Sequence, residues 1–222
     1  EENRQTTPQS ALSKQERQNI SAIAISNTKL TEDETRKLID EQLRRVGWEV
    51  DTHNLRYSKG TRPQKGKKIA IAEWPVNSPT SKDHRADYAL FIDEKLIGII
   101  EAKSYEKSVY SIIDNQCNEY AKNIKDEDEK YLLGKWGKYQ VPFVFATNGR
   151  PYLKQIETES GIWFQDLRKE TNNPIALQGW YSPEELMAKF TQNVDEADQK
   201  LSNLPYDFLR DPDGLNFRHY QL

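Results

Sequence analysis

Asp87, Glu101 and Lys103 are the residues of this chain whose types and spacing could do chemistry. They stand in 81–103, SKDHRADYALFIDEKLIGIIEAK. The apolar runs YALFI and LIGII, joined by Asp93-Glu94-Lys95, predict a β-hairpin with a three-residue turn. A turn centred on Glu94 sets Asp87 directly opposite Glu101, with β-carbons about 5 Å apart on one side of the sheet. Lys103 follows Glu101 by two residues and points to that same side. Two carboxylates so close repel one another, and a divalent cation between them offsets the repulsion. Hard oxygen ligands suit Mg²⁺, with Mn²⁺ as a substitute. Without a metal, neutralising Asp87 is expected to leave stability equal or higher. A two-residue turn would shift the pairing by one residue and undo this geometry.

The elements that must hold these residues in place can be read on either side of the hairpin. Thr31 and Glu34 form a capping box, and Leu38, Ile39, Leu43 and Val46 make the apolar stripe of a helix that Gly47 ends. This helix packs on the sheet and brings Glu32, Glu34 and Arg36 to its N-terminal end. Trp48 to Val50 and a long polar loop follow, and then KKIAIAEWPV, whose alternation at Ile69 and Ile71 predicts a strand ending before Pro75. After Lys103, Val109, Ile112, Ile113, Gln116 and Tyr120 recur at three- and four-residue steps. They predict a helix leading off the strand that carries Lys103, with Gln116 and Tyr120 on one face. The charged run 125–130 reads as solvated surface. VPFVFATNG predicts a buried strand and GIWFQDL a further one, while PYLKQIETES between them has no assignment. SPEELMAKF predicts a helix with Ser182 as N-cap. Strand and helix signals alternate, so the expected class is α/β, a mixed β-sheet flanked by helices. Residues 1–13 read as a frayed terminus, SKQERQNISAIAIS is ambiguous between helix and strand, and 191–208 continue as a helical or irregular tail.

Composition sets the outer limits. A chain of 222 residues fits one large domain, or one domain and part of another. A single cysteine, Cys117, excludes a disulfide framework and a cysteine-type zinc site. Histidines 53, 84 and 219 lack ligand spacing. No apolar run reaches membrane-spanning length, and a reducing cytoplasm is the expected setting. The net charge of −3 is not that of an autonomous DNA binder. Arg62, Lys65, Lys67 and Lys68 cluster locally, and Lys135, Lys138 and Arg150 recur later. Any nucleic-acid path would have to be assembled from them in space.

The run RADY, then IIEAK, then QCNEY resembles the PD-(D/E)xK nuclease superfamily. More closely, the set is similar to the N-terminal nuclease domain of the R (motor) subunit of type I restriction enzymes. Glu32, Thr35 and Arg36 fit that family's first-helix pattern Glu-x-x-Thr-Arg, and VPFVFATNG resembles its third core strand. In FRHYQL, residues Arg218, Tyr220 and Gln221 resemble the element that opens the family's helicase motor. One departure is Ala86, which precedes Asp87 where the name-giving motif has Pro. The resemblance implies a restriction-endonuclease-like core and Mg²⁺-dependent hydrolysis of double-stranded DNA. Asp87 and Glu101 would hold the metal with the Ala102 carbonyl, Lys103 would position water, and Gln116 and Tyr120 would orient DNA or the lysine. Glu32 would supply an outer-sphere carboxylate. Gln221 would read the adenine of ATP in the full-length motor, and no Gly-rich phosphate loop is present here. The implied partners are modification and specificity subunits, with no membrane. The implied organisation is an arm at 1–28, an endonuclease domain at 29–205, and a connector with the first residues of a truncated motor at 206–222. The alternative is a non-catalytic module that docks DNA or the motor.

Overall fold

A computed structural model of the chain describes residues 30–77, 84–169, 171–192 and 203. The arm at 1–28 with the ambiguous segment inside it, the boundary at 205–206 and the Arg218, Tyr220, Gln221 element lie outside the described residues. The chain divides into two compact units, Glu1–Leu186 and Met187–Leu222, and the sheet and the site belong to the first.

Seven strands form one mixed sheet and lie side by side in chain order: β1 (Glu49–Val50), β2 (Lys68–Pro75), β3 (Arg85–Ile92), β4 (Lys95–Ala102), β5 (Phe143–Thr147), β6 (Ile162–Asp166) and β7 (Ile175–Ala176). β1 runs parallel to β2, and β4 parallel to β5; the other neighbours are antiparallel. Both parallel pairs are joined by crossovers that hold helical segments, a 3₁₀ turn (Tyr57–Lys59) between β1 and β2 and a longer helical run between β4 and β5, as adjacent parallel strands require. The expected α/β class holds. Pro75 falls inside β2 rather than after it, at the strand's last position, where a missing N–H costs least.

The hairpin turn differs from expectation, but the register at the site does not. Ile92 faces Lys95, so the loop is the two residues Asp93 and Glu94, with Asp93 at φ 55°. Asp93 Oδ1 accepts the Gly66 N–H at 2.6 Å, which helps hold that left-handed backbone. Phe91 then faces Leu96 while Leu90 faces Gly98, leaving Ile97 as an extra residue on β4. This β-bulge supplies the residue that the shorter turn lacks. Beyond it Ala89 faces Ile99 and Tyr88 faces Ile100, the last pair of the ladder and the one next to Asp87 and Glu101.

Helix α1 (Glu32–Arg45) begins with the expected capping box: Thr31 Oγ1 accepts the Glu34 N–H and Glu34 accepts the Thr31 N–H at 2.8 Å. Ile39 and Leu43 are buried, Leu38 and Val46 only half so, and Gly47 closes the helix at φ 99°. A buried polar link, not apparent in the hydrophobic pattern, ties α1 to the sheet. Asp40 accepts from the Thr52 N–H and hydroxyl, both at 2.7 Å, and from the Tyr88 hydroxyl at 3.0 Å.

The other face carries the segment after β4. One helix was the expectation; the chain instead forms a turn of α2 (Tyr110–Ile112), a π-helical stretch (Ile113–Cys117) and α3 (Asn118–Lys122). The apolar spacing is met all the same: Val109, Ile113, Cys117, Tyr120 and Ala121 join Ile71, Ala89, Phe91 and Ile99 in the core. The charged run does not end as bare surface. A 3₁₀ helix (Asp126–Tyr131) turns Asp128 and Tyr131 inward together, as its three-residue period dictates, and Tyr131 packs on Trp74 and Phe91. PYLKQIETES holds only a 3₁₀ turn (Glu157–Glu159), and α4 (Pro183–Thr191) starts from the expected Ser182 cap.

Candidate active site

Asp87 and Glu101 meet at the end of the β3–β4 ladder, on the face shared with Ala89 and Ile99. Each carboxylate already has a cation. Arg36 of α1 donates to Asp87 Oδ1 at 2.5 Å, and Lys103 Nζ lies 2.5 Å from Glu101 Oε1. The Ala102 N–H donates to Asp87 Oδ2 at 2.7 Å, so both oxygens of Asp87 are engaged. Two side chains thus already offset the repulsion that a divalent cation was expected to relieve.

The balance is uneven. Glu101 is 5% exposed, and its Oε2 is buried with no hydrogen-bond partner. Burial, and then the Asp87 carboxylate beside it, push the Glu101 carboxyl up to about 7, against the pull of Lys103. A buried carboxylate oxygen without a donor is costly unless something else meets it. A hard divalent cation between Glu101 Oε2 and Asp87 would do so, and the residues present fit Mg²⁺ in that sense. Among the described residues no group of three or more His, Cys, Asp or Glu side chains gathers as a metal site. Two carboxylates would thus need a backbone carbonyl, water or a substrate phosphate to fill an octahedral shell.

The remaining candidates differ in how close they come. Tyr120 is buried and borders the acids: after its burial, Glu101 and Asp87 are the next causes that push its hydroxyl up. The His84 ring stands 6.1 Å from it, centroid to centroid. Gln116 is half-buried on the π-helical stretch with no side-chain partner among the described residues. Glu32 is 76% exposed and reaches Arg36 at 3.3 Å rather than the acids. Cys117 is structural, its thiol donating to the Phe145 carbonyl at 3.3 Å. Gln221 lies outside the described residues.

Two residues near the site were given no role from the sequence. Arg36 is the direct partner of Asp87; the signal for it was there, since it stands four residues after Glu32 on a capped helix, but spacing within one helix does not reveal a partner 51 residues away. Glu73 occupies the β2 position across from Asp87, between the Ala72–Tyr88 and Trp74–Ala86 pairs, yet drops out of the ladder with φ 53°. Its carboxylate is held by Arg56 and Arg85. A regular Glu73 would have put a third acid beside Asp87.

Comparison with known proteins identifies the family. Residues 49–190 match the family of the type I restriction enzyme EcoKI endonuclease subunit second domain. The type I restriction enzyme EcoKI endonuclease subunit of Escherichia coli (strain K12) is 34% identical over 216 residues, covering 86% of this chain and 18% of that protein. The chain thus spans about a fifth of the length of this relative. No solved structure matches it. With the family match running over well more than half of the chain, this protein belongs to the type I restriction enzyme endonuclease subunit family.

Proposed function

We propose that the chain is the Mg²⁺-dependent endonuclease module of a type I restriction enzyme R subunit, hydrolysing phosphodiester bonds of double-stranded DNA. The observation that carries this reading is the orphaned, buried Glu101 Oε2 beside Asp87, with Lys103 on the other oxygen of the same carboxylate. Asp87 and Glu101 would hold the cation, with Ala102 contributing its carbonyl. Bound there, Mg²⁺ or Mn²⁺ supplies Lewis-acid chemistry, lowering the pKa of water and offsetting phosphate charge. Lys103 positions the attacking water and donates to the phosphate oxygen on which charge develops. Tyr120 and Gln116 line the approach from the adjoining helical segment and orient DNA or the lysine. Glu32 contributes from outside the inner shell. Cleavage would follow ATP-driven translocation by a motor beyond this chain, in which Gln221 reads adenine, within a complex of modification and specificity subunits in the cytoplasm.

The test is single substitution in the assembled enzyme. Asp87→Ala, Glu101→Ala and Lys103→Ala are each expected to cut DNA cleavage by about 10²-fold or more, as lost transition-state contacts do, with ATP hydrolysis and DNA binding retained. Cleavage unchanged in all three would leave a module that only docks DNA or the motor.

A further inference from the structure

Arg36 sits on one of the two Asp87 oxygens that a metal would use, Oδ1, while the Ala102 N–H holds Oδ2. Its Nη2 is 2.5 Å from Oδ1, and both side chains are mostly buried, 17% and 14% exposed, so the pair is weakly screened by water. A divalent cation placed about 2.1 Å from a carboxylate oxygen would stand within a few ångströms of that guanidinium. Two cations that close on one acid repel strongly in a half-buried setting, so metal and Arg36 compete for Asp87.

The same nitrogen of Arg36 has a second partner. Glu32 Oε1 lies 3.3 Å away, one helical turn earlier, and is 76% exposed. Glu32 and Arg36 also line a cavity of about 310 Å³ with Asp33, Thr52, His53, Arg56 and Glu73. Arg36 can therefore leave Asp87 without losing a carboxylate or meeting a wall. The buried anchor one turn later, Asp40 on Thr52 and Tyr88, holds α1 in place so that only the side chain need move.

We propose that Arg36 is a positioning residue that stands in for the metal on Asp87, and that metal binding transfers it to Glu32 at the rim of the cavity. The inference rests on the metal-site reading above. It gives Glu32 a definite task, as the acceptor that lowers the cost of metal entry. It also places a guanidinium beside the site once the metal is bound, where a DNA phosphate would pass.

Calorimetric titration of the chain with Mn²⁺ alone tests it. Arg36→Gln is expected to bind Mn²⁺ on the order of tenfold more tightly than the wild type, because the competing charge is gone. Arg36→Lys, which keeps the charge, is expected to stay near the wild type, and Glu32→Gln to bind several-fold more weakly. In NMR spectra the Arg36 Nε–Hε signal should shift as Mg²⁺ is added to the wild type. Equal or weaker Mn²⁺ affinity in an Arg36→Gln variant that still melts cooperatively would overturn the proposal, as would an Arg36 signal indifferent to Mg²⁺. Absence of Mn²⁺ uptake in wild type and Arg36→Gln alike would instead overturn the metal site on which it stands.

Discussion

Of the two facing acids, Glu101 bears the larger strain. Its ordinary value of 4.5 is pushed up to about 7 by burial and by Asp87, so between those values the folded chain holds a proton that the unfolded chain has lost. The sign follows: this contribution to stability is fully present below pH 4.5 and is lost as pH rises through 7. The amount is on the order of 2–3 kcal/mol. Melting of the metal-free chain in EDTA should show it, with the wild type losing several degrees from pH 5 to 8 and Glu101→Gln losing less. Parallel curves would mean that another group sets the slope. Asp87 is held differently, with both of its oxygens engaged, by Arg36 and by the Ala102 N–H. The sequence reading, which saw two equivalent repelling acids, expected Asp87→Asn to be neutral or stabilising. With Arg36 in view, that substitution should lower metal-free stability by about 1–3 kcal/mol, as it leaves a mostly buried guanidinium with only the exposed Glu32, 3.3 Å away, for a charge partner. A melting temperature equal to or above the wild type would restore the earlier expectation.

At the scale of elements, what the sequence made legible was local. The capping box of α1, the apolar strands and the alternation that puts Asp87, Glu101 and Lys103 on one side are all set by residues within one or two turns. What it concealed depends on partners far along the chain. The hairpin reached the expected pairing through a shorter turn and a bulge at Ile97, two departures that cancel. Nothing in LIGII marks Ile97 as the extra residue, since every position there is apolar or glycine and either register buries it. The π-helical stretch kept the helical stripe and so left no trace in spacing, while Asp128 looked like surface because its neighbours are charged. Asp40 was hidden in the same way, as one acid among many on α1. It accepts three buried hydrogen bonds from two other elements and decides where Arg36 sits. Asp40→Ala should therefore cost about 2–4 kcal/mol, since it strands the Thr52 N–H and one of the Thr52 and Tyr88 hydroxyl protons, the two hydroxyls still bonding each other at 2.8 Å. Chemical denaturation checks this; a loss below about 0.5 kcal/mol, the level of an ordinary surface substitution, would show that the link holds nothing.

For the whole molecule the question is how it meets DNA. A net charge of −3 gives no general attraction for a polyanion, and the local basic clusters are largely spoken for. Lys67 pairs with Glu49 and Lys68 with Glu184, while Arg62 lies 3.6 Å over the Tyr57 ring and donates to two carbonyls. Lys135 meets Glu129, and Arg150 meets Glu159 at 3.0 Å and the Tyr105 ring. Each of these would have to give up a partner to reach a phosphate, and every phosphate contact not made removes nearly one counterion from the salt dependence of binding. By itself the chain should thus bind a short duplex more weakly than about 10⁻⁴ M near physiological salt, with the shallow salt slope of roughly two or three phosphate contacts. Fluorescence anisotropy of a labelled duplex between 50 and 200 mM salt measures both, taking those concentrations as about the usual working range. A micromolar Kd with a steep slope would mean that the ion pairs open on DNA and that the chain grips its substrate unaided. On the proposed nuclease reading, the weak, shallow result would mean that DNA is delivered to the chain, so that two acids and a lysine would not cut every duplex met by diffusion.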